Sequence, residues 1–168
     1  MKRTRGAAVT ALIPAVFLAA SVLTGSGQAV AESRLVLENV ARPGFVLDND
    51  AGGGQDSSVL AHDRNGGANQ LWEVSPDGGN PVQIKQRIGG QELCAAAVFN
   101  GVADVSMQPC DGSGGVVRWH EIRVGENRYV YRNVSQGTCI AATRANGPVD
   151  LVECAFGDQD QQWVKRVG

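Results

Sequence analysis

Along this chain, apolar residues come in short runs that alternate with polar ones. Gly, Asn, Asp and Pro cut each run before a helical period can build over three turns. Leu35 and Leu37 alternate with Val36 and Glu38, and runs follow at Phe45 to Asp48, Val59 to His62 and Leu71 to Val74. The same sequence of runs returns at Val82 to Gln86, Leu93 to Val98, Val105 to Gln108 and Trp119 to Val124. It returns again at Tyr129 to Arg132, Cys139 to Ala142, Val149 to Val152 and Trp163 to Val167. Dense turn signals separate them, among them Gly52-Gly53-Gly54, Gly66-Gly67, Pro76-Asp77-Gly78-Gly79, Gly89-Gly90 and Gly114-Gly115. The pattern predicts an all-β fold of three repeats with four strands each.

The tryptophans mark the repeats. Trp72, Trp119 and Trp163 stand 47 and 44 residues apart, each inside a similar neighbourhood. Repeats are expected over about 34–78, 81–125 and 127–168. Cys110 and Cys154 each lie nine residues before a tryptophan, and Asp63 holds that place in the first repeat. Cys94 and Cys139 precede them by 16 and 15 residues, and Val46 stands in the matching place. Four cysteines allow three pairings, and the repeat selects Cys94–Cys110 and Cys139–Cys154. The first repeat, with no disulfide, is expected to hold together by packing alone. One repeat can bury only one face of its strands, so three must share a core, with the tryptophans as its anchors.

Composition adds the compartment. Lys2, Arg3 and Arg5 precede an apolar stretch from Ala11 to Leu23, and Ala29-Val30-Ala31 offers small residues for cleavage. Residues 1–31 read as a signal peptide, too short in their apolar run for a bilayer span. One domain follows, over 32–168, from a source expected to be bacterial. Cleavage removes three cations and no acid, so the mature chain is more acidic than the net −2 of the whole. With no basic run, nucleic acid and membrane surfaces are poor partners. An even cysteine count behind a signal peptide implies disulfides made outside the cytoplasm. Zinc is the competing use, disfavoured by wide gaps and the lack of a CxxC pair.

Three such repeats, each with a QxW-like triplet, make the chain resemble the ricin B-type lectins over essentially all of its mature length. Gln70-Leu71-Trp72 and Gln161-Gln162-Trp163 match the signature, and the second repeat departs from it with Val117 in the glutamine's place. The resemblance implies a β-trefoil: a six-stranded barrel capped by three hairpins. It also implies shallow sugar pockets, up to one per repeat, used without metal or other cofactor. A carboxylate accepts hydroxyl hydrogen bonds, an amide both donates and accepts, and a ring packs on the sugar's C–H face. On this pattern Asp48 falls on the sugar-binding aspartate, His62 on the stacking position, and Asn69 and Gln70 on the amide pair. The second repeat has Ala96 at the aspartate position, and the third has Ala141 there with Asp160 in the asparagine's place. One pocket at most is expected, in the first repeat, for a galactose-type or related glycan.

Each candidate also has a plain structural reading. Asp48 begins a turn-forming run, His62 could be an ordinary strand residue, and Gln70 could serve the hairpin backbone. His120 follows Trp119 and should face the surface. Asn133-Val134-Ser135 is a glycosylation sequon in form. Only His62 and His120 are present as histidines, and neither lies in a catalytic motif, so no enzyme activity and no catalytic residue is expected. Two functions remain: a secreted, monomeric lectin, or a secreted trefoil that inhibits a protease or binds another protein without taking sugar.

Overall fold

The computed structural model describes residues 34–76, 80–99, 103–112 and 114–168. The leader expected over residues 1–31 lies outside the described residues. Among those described, thirteen strands form and no α-helix does. The first repeat supplies β1 (Leu35–Asn39), β2 (Phe45–Asn49), β3 (Val59–Asp63) and β4 (Glu73–Pro76). The second supplies β5 (Val82–Ile88), β6 (Gln91–Phe99), β7 (Ala103–Pro109) and β8 (Trp119–Gly125). The third supplies β9 (Arg128–Asn133), β10 (Cys139–Ala141), β11 (Gly147–Pro148), β12 (Asp150–Val152) and β13 (Trp163–Val167).

The first and last strands of each repeat close a barrel. β1 meets β4 at Leu35 and Trp72, and β4 pairs with β5. The ring continues through β5–β8, β8–β9, β9–β13 and β13–β1. The middle strands form hairpins β2–β3, β6–β7 and β10–β12. These hairpins touch one another through β11–β3, β12–β7 and the bridge between Ser58 and Ser106. The architecture is a β-trefoil. A thirteenth strand arises because Val149 sends its N–H to the Val59 carbonyl, 3.0 Å away. There the chain changes partner from β3 to β10; the expected strand Val149 to Val152 is β12, and β11 precedes it at Gly147–Pro148, where no strand was expected.

Nearly every inward position is filled by a residue from the predicted runs. Leu37, Leu47, Ile84, Leu93, Met107, Tyr131 and Ile140 form one core with the three tryptophans, all fully buried. Each indole N–H donates to the carbonyl of a hairpin residue: Trp72 to Leu47 at 2.8 Å, Trp119 to Ala95 at 2.9 Å and Trp163 to Ile140 at 3.3 Å. The acceptors occupy equivalent places in the three repeats. Burial pushes the Tyr131 phenol well above its usual range, as does the Glu121 carboxylate that accepts its hydroxyl.

A second threefold feature was invisible in the sequence. Asn39, Gln86 and Asn133 are buried polar residues near the ends of the first strand of each repeat. Each donates to the carbonyl three residues before a tryptophan: Asn39 to Asp160 at 2.8 Å, Gln86 to Asn69 at 2.9 Å, and Asn133 to Val116 at 2.8 Å. That carbonyl belongs to the preceding repeat, with the third repeat preceding the first around the ring. Asn133 also accepts from the N–H groups of Ser135 and Gln136, both at 3.0 Å. Its amide is spent on these bonds, so the folded protein offers no glycan acceptor at this sequon. Asn133→Ala is expected to cost about 2 kcal/mol in a urea unfolding titration, because it orphans buried backbone groups. A cost below about 0.5 kcal/mol would show that water replaces the staple.

The cysteines pair as expected. Cys94–Cys110 and Cys139–Cys154 each have Cα atoms 5.1 Å apart, which leaves no free thiol for zinc. The first repeat departs from its expectation, since packing alone does not hold it. Gln70 donates to the Asp63 carbonyl at 2.8 Å, and Asn146 of the third repeat bonds both the Asp63 N–H and its carboxylate at 3.1 Å. Hydrogen bonds thus secure the place where the other repeats carry a disulfide.

Candidate functional site

The β2–β3 hairpin has two faces. Leu47, Val59 and Ala61 point into the core. Strand alternation therefore puts Val46, Asp48, Leu60 and His62 on the other face. Register sets Val46 opposite His62 and Asp48 opposite Leu60. Asp48 and His62 are thus diagonal neighbours on one face, a separation of about 7–8 Å between Cα atoms.

The turn before Trp72 folds over this face and brings in Asn69 and Gln70. Asn69 Nδ2 donates to Asp48 Oδ1 at 2.8 Å, and Gln70 Nε2 donates to Asp48 Oδ2 at 2.7 Å. Asp48 is 2 % exposed, so the carboxylate lies at the floor of the site. Each of its oxygens keeps one further acceptor position. Asn69 is half-buried and keeps one N–H and its carbonyl oxygen for a ligand. The turn has no room beside that oxygen. A Cβ on Gly67 would stand 2.3 Å from Asn69 Oδ1, so any larger residue there would force the Asn69 side chain to shift.

Gln70 takes a different place. It is fully buried, and its Oε1 accepts from the N–H groups of Asn65 at 2.8 Å and Gly66 at 3.3 Å. Its amide is committed to Asp48, Asp63 and this turn, which makes it a support for the carboxylate. Gln161 bridges Glu153 and Ala155 in the third repeat in the same way. His62 is half-buried at the rim, with Nδ1 3.2 Å from the Asp63 carbonyl.

The equivalent places in the other repeats hold buried alanines. In the second, Ala96 packs with Cys94, Val117, Val98 and Val116 in a small apolar cluster. In the third, Ala141 is buried and Arg42 crosses from the first repeat. Its Nε and Nη2 donate to the Ala142 and Thr143 carbonyls at 2.8 and 2.7 Å, and it faces Asp160 at 3.6 Å. Sequence reading missed Arg42 because it acts a hundred residues from its own position.

Asn146 was also missed. It is adjacent to Gly147, whose partner on β3 is Ala61, so it stands beside His62. Through Asp63 it braces Gln70, which braces Asp48. Asn146→Ala is expected to weaken glycan binding several-fold, because the brace acts through two intermediaries. Calorimetric titration of that variant checks this, and unchanged affinity would confine Asn146 to stability.

A cleft of about 530 Å³ opens on the other side of Asn69. It lies between the first two repeats and is bounded by neither Asp48 nor His62.

Comparison with known proteins places this geometry. Residues 34–163 match the family model described as "Ricin-type beta-trefoil lectin domain". No curated protein sequence matches the chain. Among solved structures, the designed threefold-symmetric protein ThreeFoil is similar at 20 % identity and a TM-score of 0.68, covering 80 % of this chain and 98 % of its own. An exo-β-1,3-galactanase from Clostridium thermocellum matches at 20 % identity and 0.69, over 81 % of this chain and 30 % of its own. The C-half of the earthworm R-type lectin, solved in complex with GalNAc, matches at 16 % identity and 0.60, over 81 % of this chain and 99 % of its own.

Proposed function

This chain belongs to the ricin-type β-trefoil lectin domain family, and on that premise we propose that it is a secreted, monomeric lectin with one sugar pocket, in its first repeat. One observation carries the reading. Only the first repeat holds a carboxylate at the pocket position, with two amides aimed at it. The matching residues of the other repeats are alanines, both buried, which carry no acceptor for a hydroxyl.

The chemistry follows from the free valences. Asp48 accepts from two neighbouring hydroxyls, Asn69 donates to one and accepts from another, and His62 borders the C–H face. A galactose-type sugar with adjacent hydroxyls fits such a set, and GalNAc is the sugar bound by the earthworm lectin. Affinity at one open site is weak, because a monosaccharide covers little surface. Two disulfides support an oxidising compartment and hence secretion. Among the described residues, no helix is long and apolar enough to cross a membrane.

A glycan array probed with the oxidised chain from Glu32 tests the reading. Binding to a galactose-type glycan is expected, and Asp48→Ala should weaken it more than about tenfold, the loss of charge-assisted hydrogen bonds. Circular dichroism of the variant keeps folding and binding apart. Full binding by a folded Asp48→Ala protein would refute the site. A blank array from well-folded protein would turn the function toward a protein partner.

A further inference from the structure

The cleft beside Asn69 has a composition of its own. Arg34, Lys85 and Arg87 line it, with Glu73, Glu92, Leu71 and Ile88 among its other walls. Its volume lies within the range of small-molecule sites, roughly 300–1,000 Å³. Cations outnumber carboxylates here, in a chain whose overall charge is negative.

The carboxylates are already engaged. Glu73 lies 2.8 Å from Lys85 Nζ, and Glu92 lies 3.8 Å from it. Glu92 also accepts from Arg87 at 2.8 Å. Arg34 is exposed, and its side chain makes no hydrogen bond or ion pair among the described residues. Most of the Arg87 fork remains open as well, since its side chain is 65 % exposed. Both guanidinium groups line the cleft, and a guanidinium's N–H donors are suited to an oxyanion. Leu71 and Ile88 supply apolar surface for a ring's C–H face.

Asn69 joins the two places. Its amide bonds Asp48 on one side, while the residue itself walls the cleft on the other. We propose that the cleft is a second subsite, in which Arg34 and Arg87 receive the acidic group of a glycan whose neighbouring sugar sits on Asp48. The ligand class is an anionic oligosaccharide, carboxylated or sulfated. This rests on the lectin reading above, which it extends by one sugar residue.

Calorimetric titration of the oxidised chain from Glu32 with lactose, 3′-sialyllactose and 3′-sulfolactose tests it. These probes share one neutral core and differ in the acid they carry. At low ionic strength at least one acidic probe is expected to bind about tenfold more tightly than lactose, the worth of one charge-assisted contact. That gain should shrink as salt screens it. It should vanish in Arg34→Ala/Arg87→Ala, which binds all three probes alike. Which acid gains more identifies the ligand as carboxylated or sulfated.

Equal binding of all three probes by the parent protein would overturn the subsite and leave the lectin reading standing. So would a gain that survives in the double variant. Arginine-dependent binding of an acidic probe that persists in Asp48→Ala with no lactose binding would keep the cleft and remove the Asp48 pocket. Binding of none of the three would overturn both.

Discussion

Trp72→Ala is expected to lower the unfolding free energy by about 3–5 kcal/mol, the usual cost of deleting a buried aromatic side chain. The indole is fully buried in the common core, so its loss leaves a cavity that closed barrel strands cannot collapse to fill. The deletion also orphans the Leu47 carbonyl, which accepts the indole N–H at 2.8 Å. Domains of this kind have about 5–15 kcal/mol in total, so the variant should be marginal at room temperature. The damage reaches the site, since Leu47 precedes Asp48 on β2. Urea unfolding followed by fluorescence of the remaining tryptophans measures the effect. Phe99→Ala is the control, because that ring is 71 % exposed and its removal should cost little. Equal midpoints for the two variants would contradict the assignment of Trp72 as a core anchor.

Reduction of the disulfides is expected to be as damaging. The bridges close loops with sequence separations of 16 and 15 residues. In the chain-entropy model each contributes about 3 kcal/mol by limiting the unfolded ensemble. Both lie in the second and third repeats, yet the first repeat cannot outlast them. Its β1 closes the barrel against β13, and its Asp63 is clamped by Asn146. A single cooperative transition, shifted to much lower temperature, should therefore follow treatment with a phosphine reductant. Glycan binding should be lost in the same range. A reduced protein that melts where the oxidised one does would show that the core suffices without the bridges.

The candidate site was partly legible. Asp48, Asn69 and Gln70 were selected by the resemblance to the ricin B-type lectins, whose pattern falls on them in the first repeat. Their mutual bonds confirm that they meet, but the division of labour between them was hidden. Gln70 looks the same as Asn69 in sequence, yet its burial turns it from a ligand candidate into a support. His62 was selected by the same resemblance, and the strand register sets it on the face of Asp48. Arg42, Asn146 and Gln86 carried no signal. Arg42 and Asn146 are polar residues in turns and Gln86 is a polar strand residue, types that the sequence offers in many places.

What the sequence determined by itself is whatever depends on period and register. Alternating short runs specify strands, three spaced tryptophans specify three repeats, and matched cysteines specify their partners. These are local or repeated signals, and they need no knowledge of distant neighbours. The tertiary structure decided how the repeats meet and which side chains gather around Asp48. Barrel closure brings Asn39 to Asp160, 121 residues away, and Arg42 to Ala142, 100 residues away. It also brings Arg34 and Arg87 to the same cleft. Such pairings follow from the closing of a ring, which makes residues neighbours in space although they lie far apart along the chain.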